Sequence, residues 1–184
     1  VPVSARGDLI SAHQDLLVAT MEFDRVDFLI AETKTQLDVA KNEQKKAKLT
    51  TKSAEVNKRA AVKSEDLNRV KTESDSVNRA KQAQKAAAAR IVYLKAQLAY
   101  LKKERKFRHY DMFAKRARVE LTEASTAKQN QIAPRGFTYA QYQTQYKDRA
   151  AQAAMYQKEA LGAKKNADTK RALWANAGKK AAPK

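Results

Sequence analysis

The densest chemistry-bearing run in the sequence is basic: Lys102, Lys103, Arg105, Lys106 and Arg108, followed by Lys115, Arg116 and Arg118. Phe107, Tyr110 and Phe113 are interleaved with it. Cations set among rings are what a polyanion site uses, because charge neutralises phosphates while aromatic faces add stacking or apolar contact. A surface of this kind takes nucleic acid, anionic lipid or lipopolysaccharide, and its chemistry does not choose among them. The same spacing also describes a solvated helix face with Phe107 and Tyr110 turned into a core. Trp174, in a setting of Lys170, Arg171, Lys179 and Lys180, is a second candidate. It reads as an anchor on a partner or lipid interface, or as a staple closing the end of a helix.

Catalytic arrangements are missing from the sequence. There is no Gly-rich phosphate loop, no G-x-S-x-G elbow and no H-E-x-x-H. His13 and His109 are the two histidines. His109 has Asp111 nearby and Glu104 a turn and a half away, short of the three or four converging ligands a stable metal site needs. Glu65-Asp66 and Glu120 with Glu123 read as ordinary acids on exposed helix. With no cysteine, disulfides, thiol catalysis and thiolate metal sites are excluded. The expectation is a protein that is not an enzyme and has no cofactor and no metal.

The elements that must carry these residues are helices. The chain of 184 residues has four glycines and three prolines, and none of either lies between Asp8 and Ala133. An all-β protein needs turn residues far more often, whereas Ala, Lys, Gln, Arg and Leu favour helix. No apolar run approaches the ~18 residues of a membrane span. The net charge of +18 is uneven, since residues 1–40 carry seven acids against three bases. An acidic first helix can therefore pair with basic later ones, within the molecule or between subunits, and the surplus can attract a polyanion.

Gly7 and Asp8, in Arg6-Gly7-Asp8, read as a turn and an N-cap, which starts the first helix near Asp8. Leu9, Ala12, Leu16, Ala19, Phe23, Val26, Ile30, Thr33, Leu37 and Ala40 then alternate in steps of three and four, as a coiled-coil seam does. Leu17, Phe28 and Leu29 widen it toward a packed bundle face. After a lapse at 41–48 a weaker seam continues through Leu49, Val56, Ala60, Leu67 and Val70. Thr72, Ser74, Asp75 and Ser76 mark a cap or bend near 70–76. A regular seam follows at Val77, Ala80, Ala87, Ile91, Leu94, Leu98 and Leu101, interrupted by Gln84. It is followed by Phe107, Tyr110, Ala114, Ala117, Leu121 and Ala124.

Residues 130–136, with Pro134 and Gly136, end the helix. Thr138 with Gln141 spells a capping box that restarts it. The last helix has its stripe at Tyr142, Tyr146, Ala153, Tyr156, Ala160, Ala163 and Ala167, with Tyr139 alongside, and a loose basic tail follows from Gly178. Two regions result. Residues 1–133 form a long coiled-coil region of two helices, and 134–184 form a C-terminal helix and tail. The fold class is all-α, with helices at roughly 8–70, 76–130 and 138–175 packed antiparallel as a coiled-coil-like bundle or an extended helical hairpin. An extended rod in a multimer is the other arrangement.

The stretches 88–98 (Ala-Ala-Arg-Ile-Val-Tyr-Leu-Lys-Ala-Gln-Leu) and 114–121 (Ala-Lys-Arg-Ala-Arg-Val-Glu-Leu) resemble the Ala/Leu/Lys/Glu coiled-coil runs of exported helical proteins in the envelopes of Gram-negative bacteria. The similarity covers about half the chain. Relatives of that kind are often lipoproteins, whereas this chain lacks the lipid-bearing cysteine, and no functional residue carries over. The resemblance implies a periplasmic or outer-envelope helical protein, and a start at Val1-Pro2-Val3 reads as a processed N-terminus, which signal-peptide removal is one way to make. The expected location is periplasmic or secreted, with the cytoplasm as the alternative. The expected function is a structural or interaction role: a scaffold that self-associates or docks on an envelope partner through its seams and basic surface. A nucleic-acid-binding architectural protein and a helical chaperone or anionic-lipid-binding protein are the alternatives.

Overall fold

A computed structural model describes residues 3–133 and 135–181, with side chains described from Arg6 to Lys179 except at Pro134. Three helices make up the described chain: α1 (Val3–Lys63), α2 (Leu67–Gln129) and α3 (Tyr139–Ala181). The protein is all-α, and no helix among the described residues is long and apolar enough to cross a membrane.

The first helix starts earlier than Asp8. Gly7 and Asp8 lie inside α1, because a lone glycine costs a helix only about 1 kcal/mol, which a long cooperative helix absorbs. The bend expected at 70–76 is instead at 64–66. There Glu65 adopts a left-handed conformation (φ 55°), and Ser64 Oγ donates to the Ala61 carbonyl at 2.9 Å. Asp66 Oδ1 then accepts from the Arg69 backbone N–H at 3.0 Å, an N-cap for α2. The polar cluster at 72–76 stays helical because its hydroxyls turn back on the helix. Thr72 donates to the Asn68 carbonyl at 3.1 Å and Ser74 to the Val70 carbonyl at 2.7 Å.

The second turn closes with a Schellman pattern. Ile132 N–H donates to the Ala127 carbonyl at 3.1 Å, and Gln131 N–H to that of Lys128 at 3.3 Å. Gln131 takes the left-handed position (φ 59°). The capping box at Thr138 does not form as spelled. Its hydroxyl donates to the Gly136 carbonyl at 3.4 Å, and the Gln141 N–H reaches the Thr138 carbonyl instead. Pro134 lies outside the described residues. The tail expected to loosen at Gly178 remains in α3 to Ala181, and 182–184 also lie outside.

The contacts group the chain into two compact units rather than dividing it at residue 133: Val1–Ile30 with Tyr100–Ala163, and Ala31–Ala99 with Lys164–Lys184. In the first unit α2 runs antiparallel to α1, with Arg118 against Asp15 and Arg105 against Asp27. It is also antiparallel to α3, where Tyr110 meets Tyr156 and Glu120 meets Gln145. Its core is largely of small side chains: Ala12, Ala19, Ala114, Ala117, Ala124, Ala153 and Ala160, with Val26, Ile30, Leu101, Phe107 and Val119. Alanine at the seam lets helix axes approach closely, so ring and charge contacts form at the flanks.

The second unit packs Leu37 and Ala40 of α1 against Ile91 and Leu94 of α2, with Tyr93 alongside. Farther along, Ala54 packs with Val77 and Ala80. Here the expected seam is out of phase. Leu49 (66% exposed), Val56, Ala60 and Leu67 face solvent, while Thr51, Ala54 and Ala61 are buried. The inward line itself does not shift at 41–48. It continues in steps of four and three from Ala40 through Gln44, Ala47, Thr51, Ala54, Lys58 and Ala61, and small residues occupy its buried positions because the neighbouring helix lies close. Thr51 satisfies its hydroxyl on the Ala47 carbonyl at 2.9 Å, so it can be buried without an orphan donor.

Candidate functional site

The basic run 102–118 lies on α2 in the first unit, and most of it is paired. Arg105 donates to both carboxylate oxygens of Asp27, at 2.5 and 3.2 Å, with its guanidinium 5.1 Å from the Phe23 ring centroid. The Asp27 hydrogen bond and charge raise the Arg105 pKa further. Arg108 bridges Glu104 (2.8 Å) on its own helix and Glu22 (3.8 Å) on α1. Arg118 hydrogen-bonds Asp15, and Lys115 approaches the same carboxylate at 3.7 Å. These bases hold α1, whose acids Asp15, Glu22 and Asp27 face them.

On the other flank the run holds α3. Lys103 donates to Glu159 at 2.6 Å, and that hydrogen bond keeps the Glu159 carboxyl below the usual carboxylate range. Lys106 Nζ sits 4.1 Å from the Tyr156 ring centroid, and that ring stacks on Tyr110 at 4.4 Å. Arg116 pairs with Glu120 on α2 at 3.4 Å. Lys102 is exposed and has no ion-pair partner among the described residues. The interleaved rings are occupied too. His109 lies edge-on to Phe113 at 4.6 Å and beside Phe23 of α1 at 5.7 Å, and Arg149 of α3 covers Phe113. The run therefore acts as a clamp of exposed and half-buried pairs, each weakened by solvent screening.

Trp174 belongs to the second unit and stacks on Tyr93 of α2, with centroids 5.4 Å apart. Arg90 lies 5.8 Å from its ring and also donates to Glu43 of α1 at 2.5 Å. Glu43, Arg90 and Trp174 thus link all three helices, the arrangement of a staple. Of the seam residues, Val26, Ile30, Leu37, Val77, Ile91, Leu94 and Leu101 are buried, while Leu16, Phe23 and Leu98 are half-buried. Among the described residues no three His, Asp or Glu side chains converge as a metal site requires.

A different face is left open. Leu17 and Phe28 do not widen the core. They are 61% and 69% exposed, and Ile10, Val18 and Met21 are exposed with them. At 100° per residue, Ile10, Leu17, Met21 and Phe28 fall on one line of α1, opposite Ala12, Ala19, Val26 and Ile30. The spacing of seven, four and seven was in the sequence all along. It was masked because the stronger seam on the other face draws neighbouring apolar residues into its own stripe. Single exposed apolar residues are ordinary, whereas a row at helix spacing is a candidate interaction surface.

Compared with protein-family models, curated proteins and solved structures, the chain matches none.

Proposed function

We propose that this protein is a non-enzymatic helical scaffold that works by helix-face association, self-associating or docking on a protein partner. The observation that carries this reading is the apolar row on α1, from Ile10 to Phe28, on the face turned away from its own core. The polyanion alternatives lose support because the basic run from Lys103 to Arg118 is engaged with the protein's own acids and rings. Releasing those cations to a phosphate backbone would break contacts that hold α1 and α3. An exported, periplasmic setting is part of the proposal and rests on the resemblance of its coiled-coil runs.

The test is crosslinking in fractionated source cells with identification of what is captured. Recovery of envelope proteins or of the chain itself, in the envelope fraction, supports the reading. Recovery of nucleic acid, lost as salt rises from about 50 to about 200 mM, overturns it.

A further inference from the structure

We infer that the open face of α1 is the contact between two copies of this chain, paired antiparallel about a two-fold axis near Ala19. The inference deepens the scaffold reading and rests on it. Residues Ile10, Gln14, Leu17, Met21, Asp24 and Phe28 form an unbroken alternation of four- and three-residue steps on that face, as the a and d positions of a coiled coil do. The order is palindromic. When a second copy runs the opposite way, Ile10 meets Phe28, Gln14 meets Asp24 and Leu17 meets Met21, and each layer recurs on the other side of the axis. An isologous dimer requires self-complementarity of this kind. The paired stretch is about 27 Å long at 1.5 Å per residue.

Charge selects the direction. In the antiparallel pair the Gln14 amide N–H donates to the Asp24 carboxylate of the second copy, and this happens twice. A parallel pair would set Asp24 against Asp24 in one layer, where like charges repel. Both side chains are exposed and neither has a partner within the chain among the described residues. A polar layer of this sort fixes register at some expense of stability. Val18, 58% exposed beside the row, meets Val18 of the second copy near the axis. Among the described residues, all five large exposed hydrophobics of α1 in this unit thereby find a contact. The α1 acids at Asp15, Glu22 and Asp27 offer no barrier, since Lys115, Arg108 and Arg105 neutralise them from behind.

Sedimentation equilibrium of the full chain over roughly 1–100 µM tests the pairing. The expected species has twice the 20.6 kDa chain mass. Leu17→Glu with Met21→Glu should return a monomer of unchanged helicity and melting temperature, since neither side chain supports the fold. Gln14→Glu should weaken the dimer tenfold or more, and adding Asp24→Lys to it should restore it. With no native cysteine, an equimolar mixture of Leu17→Cys and Met21→Cys chains should crosslink on mild oxidation, while neither does alone. A wild-type monomer throughout the range overturns the inference, as does crosslinking of Leu17→Cys by itself. Capture of a different envelope protein by a monomeric chain would sink the dimer while leaving the scaffold reading in place.

Discussion

The rings of Tyr93 and Trp174 lie nearly parallel, 8° apart, across the contact between α2 and α3. Stacked aromatic pairs contribute about 1 kcal/mol beyond the area they bury. Trp174 is the single tryptophan of the chain, so its fluorescence reports on this contact alone. Tyr93→Leu should lower unfolding free energy by about 1 kcal/mol and raise acrylamide quenching of Trp174, with far-UV circular dichroism unchanged. Unchanged quenching would show that the stack does not hold in solution.

The turn between α1 and α2 offers two changes of opposite sign. Glu65 adopts a left-handed backbone, which costs a side-chain-bearing residue about 1–2 kcal/mol. Glu65→Gly should therefore stabilise the protein, by up to about 1 kcal/mol once the glycine's own chain entropy is counted. Asp66→Ala removes the cap on the Arg69 N–H and should destabilise by about 1 kcal/mol. Urea denaturation measures both, and equal effects of the same sign would rule out this turn geometry.

The phase of the second half of α1 is checked by two substitutions five residues apart. Leu49→Gln should change stability by no more than about 0.5 kcal/mol, because Leu49 is exposed. Ala54→Gln places a larger polar side chain among Val77 and Ala80 and should cost about 2 kcal/mol or more. The reverse ranking in thermal melts would restore Leu49 to the core.

Acid should release the Lys103–Glu159 contact. The folded Glu159 carboxyl titrates below its unfolded value of about 4.5, so its contribution is complete above that pH. It is lost as pH falls through the lowered folded value. Both groups lie near the surface, which keeps the effect small. Glu159→Gln should be less stable than the parent at pH 7, and the difference should vanish as pH falls through the lowered folded value. A difference that persists at low pH would assign Glu159 a packing role instead.

How far the sequence could be read depended on what sets each position. The first seam, Leu9 to Ala40, is legible because heptad spacing and large apolar residues agree on one face; all ten positions are buried or half-buried. Beyond residue 48 they disagree. Leucine and valine score above alanine and threonine for burial, yet close helix packing selects the smaller residues, so Thr51, Ala54 and Ala61 went unrecognised. The basic run was visible as a density of charge. Its partners were not, since Asp15 and Arg118 are 103 positions apart and meet only through a register fixed at the turns. The cap at Asp66 had a local signal, an aspartate just ahead of Leu67 and Val70, but exposed acids on helices are too common for it to stand out.

That register has a consequence for how this chain can change length. Contacts between α1 and α2 join residues at nearly equal distances from the turn at 64–66: Asp15 with Arg118 in one unit, Glu43 with Arg90 in the other. An insertion in one arm displaces every later contact of that arm by the same step. A gain of seven residues restores the facing side of the helix yet still leaves each base opposite the wrong acid, unless the other arm gains seven as well. Related genes should therefore differ by heptads added or lost in matched sets, mirrored about the turn and matched in α3 wherever α2 also faces it, as Lys103 faces Glu159, and lone single-residue insertions should be confined to the stretches 64–66 and 130–138.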